Sequence, residues 1–287
     1  MPRAGTGPDF IEALARGLEV IAAFPPGRPA LSLTEVATAT GLTRPTARRI
    51  LLTLRELGYV RPEGSGFALT PRVLELGVAY VCSMGLWDVA RPHMERLSER
   101  TDESCSVAQL DGPDIVYVAR VAVPKIVALA VQIGTRFPAL QTSLGKVLLA
   151  ALDPQEVDAL LSEPTRSGLV PRWQPDRAER EAELREVRAR GWALTDQQLT
   201  LGIRSVAVPL RDGSGRVVAA LNVNTHAAET PVEHLLEHHL PLLLHTAGEI
   251  SADFARRESV PQVTRTTVPA GPPVDAIRAA AQNPRRQ

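Results

Sequence analysis

The chain has 287 residues, 44% hydrophobic and 22% charged, with 32 basic and 32 acidic side chains that cancel. That length suffices for two domains with real cores, and a zero net charge excludes recognition of a polyanion by bulk charge, leaving only local clustering. Cys82 and Cys105 have no paired spacing, which fits a reducing cytoplasm and gives no metal framework, and no apolar run approaches a bilayer span.

The opening "MPRAGTGPDF" lacks the order of a secretory signal, so a soluble cytoplasmic protein is expected. Asp9, three residues before Glu12, reads as a capping-box start to a helix carrying Phe10, Leu14, Leu18 and Ile21, ended by "PPGRP" at 25–29. A short helix is expected over 34–39, stopped by Gly41. Another follows from Thr43, placed to cap it, to Leu57, with Gly58 just beyond. "YVRPEGSGFALT" reads as a hairpin. Thr70-Pro71 opens a connecting helix toward Gly85, and a further helix spans about 87–100.

After Asp102 the pattern turns to strands: "SCSVAQL", "DIVYVARV" and "IVALAVQIG". "TSLGKVLLAAL" (142–152) and "PQEVDALL" return to helix, and residues 176–190 form a charged helix ending at Gly191. "WALT", "IRSVAVPL" and "RVVAALNVNTH" are strands, the last two joined by "RDGSG". Thr230-Pro231-Val232-Glu233 reads as a second capping box for a last helix to about Arg256, bent at Pro241. From Glu258 on, Pro, Thr, Arg and Gln dominate, the composition of a disordered tail.

One helix carries most of the functional signal. On a 100° wheel Ala47, Ile50, Leu51, Leu54 and Leu57 make one apolar arc, with Arg44, Arg48 and Arg55 beyond one shoulder and Arg49 beyond the other. Between 43 and 61 there are five arginines and one acid, Glu56, a local charge of +4 in a neutral chain. A helix docked by its apolar arc on two preceding helices would present such a front end to a DNA major groove. Arg48 or Arg49 can pair bidentately with guanine, and Thr46 can meet a phosphate or a thymine methyl. Arg61 and the amides near Gly64 and Gly66 would form a phosphate-contacting wing. The competing reading is an ordinary solvated helix face.

The stretches "ARGLEVIAAF", "LTEVATATGLTRPTARRILLTLRELGYV", "FALTPRVLELG", "TSLGKVLLA" and "GIRSVAVPLRDGSGRVVAALNV" together resemble the IclR family of transcriptional regulators over most of residues 9–256. "TARRILLTLRELGYV" and "NVNTH" are most similar to the branch that regulates the β-ketoadipate route and senses protocatechuate, 4-hydroxybenzoate or related acids. The resemblance implies an α+β chain: a flexible start (1–8), a winged helix-turn-helix DNA-binding domain (9–70), a linker and dimerisation helix (71–86), an effector domain with a curved antiparallel, GAF/profilin-like sheet (87–256), and a tail (257–287). It implies a homodimer or dimer of dimers on a double-stranded DNA operator, controlled by a small carboxylate and needing no cofactor. DNA contacts are carried over to Thr43, Arg44, Pro45, Thr46, Arg48, Arg49 and Arg61.

Effector contacts are carried over to Thr142, Ser143, Leu144, Asp196, Ser205, Asn222 and Asn224. Thr142 and Ser143 open a helix, an anion-friendly position. Asn222 and Asn224 alternate correctly to share a strand face, and their amides both donate and accept, although satisfying backbone groups at a strand end would also explain them. A turn or cap role would equally explain Asp196. Arg120, Arg136 and Arg204 are further candidates for a carboxylate, or surface residues. His234, His238 and His239 lack a third ligand at defined spacing, so no metal is expected. Lys146 lacks the glycine-rich loop of a nucleotide site. No catalytic triad or paired carboxylate supports the rival reading, an α+β enzyme. Another small carboxylate or a sugar acid is the alternative effector.

Overall fold

The computed structural model describes residues 7, 9–25, 27–77, 80, 85–125 and 131–259. The chain divides into two compact units, Met1–Gly85 and Leu86–Gln287.

The first unit holds α1 (Glu12–Ala22), β1 (Ala30–Leu31), α2 (Leu33–Thr40), α3 (Arg44–Glu56), β2 (Val60–Glu63) and β3 (Gly66–Leu69), with its sheet in the order β1-β3-β2. Ser32 starts α2 by a reciprocal cap: its hydroxyl accepts from Glu35 N (3.3 Å) while Glu35 accepts from Ser32 N (2.8 Å). Those bonds, together with Arg28, hold the Glu35 carboxyl down at about 2. Gly41 and Gly58 close α2 and α3 with positive φ. β1, a third strand that alternation does not reveal, pairs with β3. It passes so close that a Cβ on Gly66 would stand 2.5 Å from Leu31 O. Val20, Val36, Ala47, Leu51, Leu54 and Val60 form the core.

Two expectations here fail. Asp9 does not cap α1, whose N-cap is Ile11 with no side-chain bond. Nor is the apolar pattern of α1 and α3 all buried: Leu14, Leu18 and Leu57 are 61%, 53% and 51% exposed. With Ile21, Ile50 and Leu76 they line an apolar groove of about 680 Å³ between α1 and α3. Beyond β3 a 3-10 turn, Pro71–Val73, leads into the connecting segment, much of which lies outside the described residues.

The second unit holds α4 (Leu86–Thr101), β4 (Ser104–Asp111), β5 (Asp114–Val121), β6 (Arg136–Pro138), α5 (Ser143–Ala150), α6 (Pro154–Leu161), α7 (Arg177–Arg190), β7 (Ala193–Asp196), β8 (Ile203–Arg211), β9 (Val217–His226) and α8 (Leu240–Ser259). All its strands join one antiparallel sheet, β6-β5-β4-β9-β8-β7. Alternation sorts the faces. Cys105, Val107, Leu221, Val223, Val206 and Val208 are fully buried on the side of α4, where the Cys105 thiol bonds Met94 O. Burial pushes that thiol up to about 12, so it is an inert core group. Ala108, Ala207 and Ala220 face α5 from the other side.

The strand expected at "IVALAVQIG" is not found where it can be checked: 131–134 is irregular and turn structure, and 126–130 lie outside the described residues. The pairing falls instead to β6, too short to show a period. Thr230 does not cap the last helix; a turn over Val232–His234 has Pro231 at its N-cap without a side-chain bond. The irregularity expected at Pro241 falls just before it, where Leu235–His239 widen into a π turn closed by Leu240 N onto Leu235 O. Widening accommodates a proline that has no N–H for the normal bond. The predicted tail from residue 257 lies almost wholly outside the described residues. Among the described residues no helix is long and apolar enough to cross a membrane.

Candidate functional site

Two places gather the predicted side chains, one in each unit. In the first, α3 is seated by Ala47, Leu51 and Leu54, which are buried against α1 and α2. Burying two leucines and an alanine contributes on the order of 4 kcal/mol, enough to fix which face of α3 points outward. Arg44, Arg48 and Arg49 are exposed, and no described carboxylate is ion-paired with them. Arg44 and Arg48 stand on one shoulder, while Arg49 lines the α1/α3 groove on the other. Thr43 occupies the N-cap position but does not cap; its hydroxyl meets that of Thr46 at 2.9 Å. Pro45 sits in the first turn, where its missing N–H costs nothing. Arg55 and Arg61 differ from the leading three, being paired with Glu56 and Glu63. The wing arginine is thus partly neutralised.

In the second unit the site is a polar patch on the α5 face of the sheet. Cross-strand register places Ser106 opposite Asn222, Ser104 and Ser205 opposite Asn224, and Thr195 opposite Ser205. The hydroxyls chain together: Ser143 to Ser205 at 2.5 Å, and Ser205 to Thr195 at 3.1 Å. Asn222 donates to Asn224 Oδ1 at 3.0 Å. Asn222, Ser143 and Ser106 are almost fully buried. The same side of the sheet carries an apolar core that includes Leu144, Leu140 and the edge-to-face pair Tyr117 and Phe137, whose centroids are 5.6 Å apart.

Arg120, on β5 opposite Ser106, reaches this patch and donates to Ser106 Oγ at 3.0 Å. Burial draws its pKa below the ordinary arginine value, and no described carboxylate pairs with it. A half-buried guanidinium without an anion is an unfinished ion pair.

The N-terminus of α5 is set by three contacts. Thr142 accepts from Gly145 N (3.0 Å) and donates to Ala139 O (3.0 Å), so its hydroxyl is spent on the cap. Gly145 lies against the Ala139 carbonyl with no room for a Cβ. Lys146, fully buried, bonds Glu183 of α7 at 2.7 Å under the Trp173 ring, 4.5 Å from its centroid. Lys146 therefore fastens α5 to α7, and burial lowers its pKa.

Asp196 is not part of the patch. It lies opposite Arg204 in the register, on the other sheet face from Thr195 and Ser205. Its carboxylate is taken bidentately by Arg204 at 3.0 Å for both bonds. Arg204 also donates to Thr230 O, so its guanidinium is fully engaged, while Arg136 is already paired with Asp111 at 2.6 Å. Ser104, Ser106 and Thr195 belong to the patch and were not predicted. The signal for the serines was present: two hydroxyls at alternate positions in "SCSVA", an otherwise apolar strand. His234 and His238 stack at 4.3 Å, and among the described residues no group of three His, Cys, Asp or Glu is arranged to hold a metal.

Residues 13–64 match the IclR helix-turn-helix domain, and residues 78–252 match the bacterial transcriptional regulator IclR C-terminal domain. The Pca regulon regulatory protein of Pseudomonas putida is 39% identical over 250 residues, covering 86% of each chain. The p-hydroxybenzoate hydroxylase transcriptional activator of Acinetobacter baylyi is 34% identical over 247 residues, 84% of this chain and 91% of that one. An IclR homologue from Microbacterium hydrocarbonoxydans, solved with 4-hydroxybenzoate, is 26% identical at TM-score 0.73, over 85% of this chain and 99% of that one.

Proposed function

Because this chain belongs to the IclR family of bacterial transcriptional regulators, and so is a DNA-binding regulator and not an enzyme, we propose that its effector is a hydroxylated aromatic carboxylate bound at the α5 face of the sheet. The observation that carries this reading is Arg120, a half-buried guanidinium facing a polar patch with no paired carboxylate among the described residues. The ligand's carboxylate completes that ion pair. Its ring lies between Tyr117, Leu144 and the alanine-lined sheet, and its hydroxyl meets the amides of Asn222 and Asn224, which can donate or accept. Ser143, Ser205 and Thr195 support the same wall. The identities of the relatives from the Pca and p-hydroxybenzoate systems favour this class over a sugar acid.

On the DNA side, Arg44, Arg48 and Arg49, with Thr46, are the groups offered to the major groove. Arg61, held by Glu63, serves the wing more weakly. The protein acts as a homodimer or dimer of dimers in the cytoplasm, so that two copies of α3 meet related half-sites.

Calorimetry with 4-hydroxybenzoate, protocatechuate and β-ketoadipate tests the effector class. One of the two aromatic acids is expected to bind. Arg120→Gln is expected to weaken that binding about tenfold or more, since each charge-assisted contact is worth ~1.5–3 kcal/mol. Unchanged affinity in that variant, or binding of β-ketoadipate alone, defeats the assignment.

A further inference from the structure

At the hairpin end of the same sheet the second unit has another concavity, of about 330 Å³. It lies between the C-terminal ends of α5 and α7 and the β8–β9 hairpin. Its floor is apolar, made by Val147, Ala150, Val187, Pro209 and Val217, and its rim carries Arg188, Arg211 and Arg216. A register shift between Leu210 and Arg211 pairs Arg211 with Val217 at this rim.

The three guanidinium groups are held in different ways. Arg188 donates to Ala150 O (2.7 Å) and Leu152 O (2.9 Å), carbonyls left over at the end of α5. Arg211 donates to Gly215 O at 2.9 Å. Among the described residues only Arg216 of the three has an acid, Asp212 at 3.2 Å. Backbone carbonyls thus orient Arg188 and Arg211 without neutralising them, and three arginines less one aspartate leave a local charge of +2. Gly191 and Gly215 border the concavity with positive φ, and a Cβ at either would point into open space.

We propose that this concavity is a second ligand site, for a small organic dianion of the phosphomonoester class. The anionic head is taken by Arg188 and Arg211, and a compact apolar body rests on the valine and proline floor. A charge of +2 matches a dianion and leaves a monocarboxylate over-compensated. The volume is at the small end for ligand pockets. Val217 and Asn222 are five residues apart on β9, about 17 Å along an extended strand, so one small ligand does not span both sites.

Calorimetry on the full chain with phenyl phosphate, benzoate and 4-hydroxybenzoate decides the matter. Phenyl phosphate is expected to bind once per chain, at least tenfold tighter than benzoate competes for the same site, and without displacement by 4-hydroxybenzoate. Arg211→Gln should weaken it tenfold or more. Ala151→Leu, which keeps every arginine and fills the groove from an exposed position, should do the same, so that a folding defect in one variant does not decide the result. No heat with phenyl phosphate, equal affinity for benzoate, competition by 4-hydroxybenzoate, or unchanged affinity in both variants overturns the proposal.

Discussion

The arginines of α3 and those of the large sheet show how one side chain serves opposite purposes. Arg44, Arg48 and Arg49 stand in solvent without a carboxylate among the described residues. Arg204 and Arg136 are largely withdrawn from water, and each is closed by an aspartate. The difference follows from solvation. An exposed guanidinium keeps its water and needs no partner, so it can be held ready for a phosphate or a guanine edge. A buried one must be paired or hydrogen-bonded, or it costs several kcal/mol. Arg120 is the exception that locates the effector site, because it has the burial of the second group and the missing carboxylate of the first.

The largest effect that should sharpen this contrast concerns a buried cation outside both ligand sites. Lys146→Ala leaves Glu183 without its cation and is expected to destabilise the second unit by about 3 kcal/mol, toward the low end for a broken buried pair because Glu183 keeps some water. Chemical denaturation followed by tryptophan fluorescence measures it. A loss under about 1 kcal/mol would mean that the Lys146 pair does not fasten α5.

Next comes the exposed group. Arg48→Ala with Arg49→Ala is expected to cost about 100-fold in affinity for a DNA fragment selected by the protein from a random pool, at ~1–3 kcal/mol per contact. The salt slope should flatten by about two. Surface charges contribute little to folding, so the thermal midpoint should hardly move. Fluorescence anisotropy at several salt concentrations reads both quantities, and undiminished affinity would remove α3 as the reading helix.

The two sheet faces give a smaller, paired test. Asn222→Ala should weaken aromatic-acid binding about tenfold, the worth of a buried hydrogen bond left unmade. Asp196→Asn should leave that affinity nearly unchanged while lowering stability, because its carboxylate serves Arg204 on the other face. The opposite ranking in calorimetry would place the ligand on the wrong side of the sheet.

The smallest effect is a pH dependence. Burial, then the neighbouring His234, His238 and Lys125, depress His239 to about 4. A histidine whose folded pKa lies below its unfolded value of about 6.5 binds its proton more readily when unfolded. Its contribution is complete above about pH 6.5 and is lost as pH falls toward 4. Thermal midpoints of His239→Phe should therefore decline less than wild type over that interval. Parallel curves would show that His239 is not a source of acid sensitivity.

Much of the architecture could be read directly from residue order. Gly41, Gly58 and Gly191 marked helix ends, "PQEVDALL" coincides with α6, and the two-residue period put Asn222 and Asn224 on one face. Local rules do well there because caps, turns and alternation act within a few residues. Asp9 and Thr230 fit the cap pattern yet do not cap, since the first amides of a helix can be oriented by where the chain enters. Likewise Leu14 and Leu18 make an apolar stripe that the periodicity marks for burial, yet this unit leaves it in a groove.

What residue order determined by itself was the list of polar and charged groups and their local spacing: an arginine-rich helix front, a serine at the start of α5, two asparagines in step. Which groups share a site was decided only by tertiary structure. Whether Asp196 joins Ser205 or faces away depends on how β7 aligns with β8, and whether an arginine is free depends on which acid folding brings beside it. Strand register and ion pairing join residues distant in the chain, so spacing along the chain cannot express them.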